Sequence, residues 1–219
     1  MRMAVSPDDG DTLPLLAPAP ANAALARRVL SVHGHGDARR AEVEGFIHGV
    51  FARRYGADIR HFAPVLVSLQ DEGTIVAAAG YRSAGESPLF LERYLASPVD
   101  AMLASPADAR PQRRGIVEVG NLAAGRAGEG RRLIALLSAH LDAQGFQWVV
   151  GTITTELRHL FVRIGVTPLA LGIADSCALG PDAAHWGTYY DHAPVVLAGH
   201  LGQALRHMAR RAKASKGTP

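Results

Sequence analysis

A glutamate inside an apolar run is the first residue that could do chemistry. Glu118 sits in Ile116-Val117-Glu118-Val119-Gly120-Asn121-Leu122-Ala123. A carboxylate on the buried face of a central strand must be paired or have a raised pKa. Either state suits a general base or a group that positions a cationic substrate. The structural alternative is a Glu118 that faces solvent or pairs with an arginine. Gly125, Gly128 and Gly130 follow the run and precede a helix. A strand, a glycine turn and a helix N-terminus form an anion site, to which Arg126, Arg131 and Arg132 add charge. The glycine spacing is not the dinucleotide fingerprint, and no Gly-Lys-Ser/Thr follows. The same glycines also suit an ordinary tight turn. Arg82 and Glu92 could line a mouth at the sheet end, or form surface ion pairs of little consequence. His185, Trp186, Tyr189, Tyr190 and His192 could wall a pocket or pack as core with satisfied hydroxyls.

Other chemistries find little support. There is no Gly-x-Ser-x-Gly elbow and no His-Glu-x-x-His. His33 and His35 lack further ligands at a metal-site spacing, so residues 31–36 read as a polar loop and no metal is expected. Cys177 is the only cysteine, which leaves no intrachain disulfide and fits a reducing compartment. It is expected to be buried and inert.

These residues need elements to hold them. Residues 1–24, rich in Pro, Ala and Asp, read as a mobile lead-in. Asp37 is a candidate cap for a helix to Tyr55, with Val43, Phe46, Ile47, Val50 and Phe51 on one stripe and Gly56 as its stop. Residues 64–70 and 74–81 form a hairpin across Asp71-Glu72-Gly73. Residues 88–95 are a short strand or a helical turn, and residues 98–103 a short helix before a loop over 105–114. Residues 115–123 are a buried strand, 131–144 an amphipathic helix, 146–153 a strand, 156–164 a helix and 169–174 a further strand. Residues 195–211 have helical periodicity. Antiparallel strands followed by a βαβα unit predict an α/β (mixed α+β) fold, with a mixed sheet and helices on both faces.

The chain carries a formal net charge of +3, part of it in Arg206, Arg210, Arg211, Lys213 and Lys216. A solvated helix end is favoured there over contact with something acidic. No apolar run reaches the roughly 18 residues a membrane span needs. The first residues carry no secretory pattern, so the expected location is cytoplasmic.

Four segments carry a family resemblance. They are Phe51-Ala52-Arg53-Arg54-Tyr55-Gly56-Ala57, Leu89-Phe90-Leu91-Glu92-Arg93-Tyr94-Leu95, the Glu118 strand, and Trp186-Gly187-Thr188-Tyr189-Tyr190. Together, over about residues 44–202, they resemble the thermostable hemolysin family. That family is similar in pattern to acyl-homoserine-lactone (autoinducer) synthases and so to GNAT acyltransferases. Phe51, Arg82 and Glu118 fall where those synthases have a helix phenylalanine, a post-hairpin arginine and a strand glutamate. Asn121 stands where they have arginine, and no tryptophan follows Phe51 closely, which sets the chain apart from S-adenosylmethionine lactonisation.

The resemblance implies a GNAT-like domain over residues 36–204, between a flexible segment (1–35) and a basic tail (205–219). It implies a fatty acyl group moving from a coenzyme A or acyl-carrier-protein thioester to an amino-acid-like amine. Glu118, Asn121 and Arg82 would be catalytic. Gly125, Arg126, Gly128, Gly130 and Arg131 would meet the phosphopantetheine, a co-substrate rather than a resident cofactor. Phe51, Glu92, Trp186 and Tyr189 would bind substrate. No nucleic-acid partner is expected. The alternatives are a membrane-active hemolysin touching the bilayer peripherally, and a non-catalytic acyl-thioester binding module.

Overall fold

The computed structural model describes residues 28–104, 110–163 and 166–214. Seven strands form one sheet: β1 (Arg28–His33), β2 (Val65–Asp71), β3 (Thr74–Ser83), β4 (Ile116–Ala124), β5 (Trp148–Ile153), β6 (Leu169–Ile173) and β7 (Val195–His200). Their spatial order is β1-β2-β3-β4-β5-β7-β6. Only the β4–β5 pair is parallel.

One face carries the helix α1 (Arg40–Tyr55). Its Val43, Ile47, Val50 and Phe51 pack on Leu66, Ile75, Ala78 and Ala123 of the sheet. Gly56 ends the helix at a φ of 64°, a left-handed position that glycine adopts without steric cost. The other face carries α3 (Glu129–Ala143) and α5 (Leu201–Ala214). There Leu133, Leu137, Leu141 and Leu201 meet Val67, Leu69, Ala77, Ala79 and Val117. Leu66 and Val67 point to opposite faces, as the strand period requires. The short α2 (Val99–Met102) and α4 (Thr155–Arg163) complete the helices among the described residues.

Several expectations change. Residues 28–33 are not part of a loose lead-in: they pair along β2. His33 is buried, with its ring nitrogens against Asp37 Oδ1 at 3.0 Å and Ser68 Oγ at 2.9 Å. Ser68 is fully buried, so this Asp-His-Ser line ties β1 to β2 rather than meeting a substrate. Asp37 precedes the helix by a turn, accepting from the Arg39 N–H at 2.8 Å. Residues 195–200 are a strand, not the first turns of a helix. Leu197, Leu201 and Leu205 have helical spacing, but pairing to both β5 and β6 overrides it. Helix α5 also runs across the boundary expected at residue 204. Cys177 is exposed. The expected lead-in over 1–24 and the tail's last residues lie outside the described residues.

Candidate active site

The site begins where β4 and β5 part. Their ladder runs through Ile116↔Trp148 and Val117↔Val149 and stops at Glu118↔Val150. Beyond it β4 stays on β3 and β5 stays on β7. The register of β3 against β4 shifts between Ala78 and Gly80, giving β4 an extra residue there. Asn121 lies in this bulge at a φ of 52°, a conformation asparagine tolerates better than most residues. Its Oδ1 accepts the Ala63 N–H at 3.2 Å. Side chains cannot fill the neighbourhood of Gly80, where a Cβ would stand 2.7 Å from Ala63 Cβ. The 61–64 segment can therefore cross close over the bulge.

Into the split opens a cavity of about 600 Å³. One end is polar and aromatic. Glu118, Arg82, Asn121 and Phe51 line it together with Phe90, Tyr94, Trp186, Tyr189 and Tyr190. The other end is apolar, lined by Ile134 and Leu137 of α3, Leu157, Leu160 and Phe161 of α4, and Ala204 and Met208 of α5. No residue of α4 is fully buried, because its apolar side faces this space.

Glu118 is 7% exposed. Its Oε2 accepts the Phe90 N–H at 2.7 Å and its Oε1 the Leu91 N–H at 3.1 Å. Arg82 Nε lies 3.5 Å from Oε2. Burial pushes the Glu118 carboxyl above the usual range, against the opposing pull of Arg82 and the two amides.

The turn that supplies those amides, Phe90–Tyr94, is itself held by Glu92. Glu92 accepts from Leu89 N–H at 2.9 Å, Val99 N–H at 3.0 Å and both terminal nitrogens of Arg113 at 2.6 and 3.0 Å. Arg113 also reaches Asp100 at 2.9 Å. The structure thus places Glu92 outside the cavity lining, in a network that shapes the turn.

The Trp186-Gly187-Thr188 segment docks on the end of α1. Thr188 N–H donates to Tyr55 O at 2.8 Å. Gly187 adopts φ 52°, ψ −128°, and a Cβ there would collide with the Tyr55 carbonyl. That explains a glycine between the two aromatics. Tyr189 then reaches Thr152 O at 3.1 Å, on the part of β5 that has left β4.

The glycine loop lies along the same cavity. Arg126, Gly128, Gly130 and Arg131 line it. Gly125 does not, and its N–H is spent on Val76 O at 2.9 Å. Gly128, at φ 89°, precedes α3, which starts two residues earlier than its periodicity suggested. Periodicity could not reveal Phe90, Tyr94 and Tyr55 as wall residues. The only signal was a pair of aromatics four apart in a short turn. Among the described residues no cluster of metal-ligating side chains is found, and no helix is long and apolar enough to cross a membrane.

A mixed sheet split between two central parallel strands, with helices on both faces, is a GNAT-like fold. The chain belongs to the thermostable hemolysin family, whose model matches residues 33–205. Among solved structures, TofI in complex with an inhibitor and MTA is similar at a TM-score of 0.58, with 19% identity over 84% of this chain and 96% of that one. The CoA-dependent acyl-homoserine lactone synthase BjaI, with SAM and isopentyl-CoA, gives 0.58, with 15% identity over 84% and 89%. FeeM, an N-acyl amino acid synthase from uncultured soil microbes, gives 0.55, with 15% identity over 81% and 93%. A search of curated proteins finds no match.

Proposed function

We propose that the chain is an N-acyltransferase that moves an acyl group from a coenzyme A or acyl-carrier-protein thioester to an amine. The observation that carries this reading is a buried carboxylate at the strand split, between an aromatic chamber and an apolar tunnel. Fold likeness to a CoA-dependent acyl-homoserine lactone synthase and to an N-acyl amino acid synthase supports it.

In this reading the acceptor occupies the aromatic end and the acyl tail lies between α3, α4 and α5. Glu118 takes a proton from the acceptor's ammonium, directly or through water, and a raised pKa suits that task. The free amine attacks the thioester carbon, forming a C–N bond. Collapse of the tetrahedral intermediate breaks the C–S bond, and the thiolate leaves with a proton. Backbone N–H groups of β4 near Gly120 and Asn121 face the developing oxyanion. Arg82 balances Glu118 and orients the acceptor. Arg126, Gly128, Gly130 and Arg131 hold the phosphopantetheine. Acyl thioesters of this kind are cytoplasmic, which is the location we assign.

The family's name suggests lysis instead. Helix α5, the basic amphipathic element, directs Ala204 and Met208 into the cavity, so its apolar side is not free to lie on a bilayer. The test follows thiol release from acyl thioesters with a panel of amines, in wild type and Glu118→Gln. Amine-dependent release by wild type and its loss in the variant are expected. No release by wild type, equal release by both, or thioester binding without product would overturn the reading.

A further inference from the structure

The aromatic end contains a closed circuit of four rings. Phe90 to Tyr94 is 6.2 Å between centroids, Tyr94 to Tyr190 6.4 Å, Tyr190 to Trp186 6.0 Å, and Trp186 back to Phe90 5.9 Å. Neighbouring planes meet at 67°, 57°, 74° and 43°, so none of the four pairs is stacked. All four side chains are half-buried and line the cavity. One edge is pinned by the Tyr94–Tyr190 hydroxyl contact at 2.6 Å.

A square of this edge puts its centre about 4.3 Å from each centroid, inside the roughly 6 Å over which a ring face attracts a cation. The charges around the box agree. The buried Glu118 carboxylate is bonded to the backbone of Phe90 and adds to the upward push on the Tyr94 phenol, whose main cause is burial. Of the cavity's cations, Arg82 is engaged with Glu118 and Arg54 with Glu156. Arg93 lies 3.8 Å over the Phe90 ring but is not part of the cavity lining, so it covers that ring from outside.

We propose that the four rings form the subsite for an organic ammonium group bearing alkyl substituents. This names a second, non-reacting cationic group of the acceptor, apart from the amine that Glu118 deprotonates, and only the word acceptor rests on the acyl-transfer reading. Binding there would compensate a cation for its lost water by ring faces and one buried anion. A neutral group of the same shape would gain only apolar contact.

The experiment is calorimetric titration of the protein with choline and with its uncharged carbon analogue. Choline should bind about tenfold tighter or more. Tyr190→Phe, which keeps the ring, should retain this preference, and Tyr190→Leu should lose it while unfolding at the same temperature. Equal binding of the two compounds, or no binding of either, overturns the proposal even if a leucine variant fails to fold. Thiol release measured in parallel separates the two readings. Choline binding without any turnover leaves the box standing and removes the transferase. Turnover without charge preference does the reverse.

Discussion

The Phe90 backbone N–H donates to Glu118 Oε2 at 2.7 Å across 28 residues of sequence. The carboxylate at the strand split therefore also fixes the turn that supplies one wall of the aromatic chamber. Chemistry and chamber shape hang on one side chain, and its substitutions should affect both.

Ionisation of Glu118 should show in rate and stability with opposite signs. Burial raises its pKa above the ordinary 4.5. As a base it works deprotonated, so kcat/KM should rise with pH through the raised value. Glu118→Gln should lose that limb and fall by about 10²-fold or more. Its stabilising contribution is complete below pH 4.5 and is lost as pH rises through the folded pKa. Rate profiles and denaturant unfolding across the same pH range check both.

Arg113 should govern acid stability. Burial lifts the carboxyls of Glu92 and Asp100, but hydrogen bonds from Arg113 and other donors outweigh it and leave both lowered. Their contribution is present above the unfolded values of 4.5 and 3.8 and is lost as pH falls through the folded ones. Arg113→Met should cost about 3 kcal/mol at neutral pH, since it leaves the largely buried Glu92 carboxylate with backbone donors alone, while Asp100 keeps Arg110. The difference from wild type should shrink in acid as those groups protonate. Denaturant unfolding at a series of pH values measures it.

Gly187→Ala should separate the Trp186 loop from α1. The substitution meets both a positive φ and the Tyr55 carbonyl. A cost of about 2 kcal/mol or more is expected, with a changed Trp186 fluorescence and a raised KM for the amine. Thermal unfolding and steady-state kinetics decide; an unchanged loop would contradict the docking described.

Ala204→Trp should shorten the tunnel without touching the chamber. Ala204 lines the apolar end from α5. Long-chain acyl thioesters should lose about tenfold or more in kcat/KM, and short-chain donors should keep their rates. A uniform loss across donors would place the acyl tail elsewhere.

Much of the scaffold was legible because period and punctuation agree. Helix α1 shows its stripe and Gly56, and the hairpin of β2 and β3 shows its turn. Strand β4 stands out by apolar content, and Glu118 within it by contrast. Strand β7 was hidden because Val195–His200 runs directly into α5 with leucines at helical spacing, which masks the break at Gly199. Strand β1 was hidden by its low-complexity neighbourhood. The aromatic box was half legible: Trp186 and Tyr190 read as residues that could wall a pocket, but nothing joined them to Phe90 and Tyr94. Its rings come from turns 96 residues apart at the Tyr94–Tyr190 contact, and no local pattern joins them. Glu92 looked like a site residue because it is acidic and near Arg82 in sequence. Its four donors place it in the supporting frame.

The two ends of the cavity are built from different parts of the chain. Residues of β4 and the two aromatic turns make one end, and the outward helices α3, α4 and α5 make the other. On the acyl-transfer reading, drift in the helices retunes which tail length is accepted while the reacting centre stays as it is. Descendants of one ancestral catalyst could in this way diversify their products without reinventing the reaction.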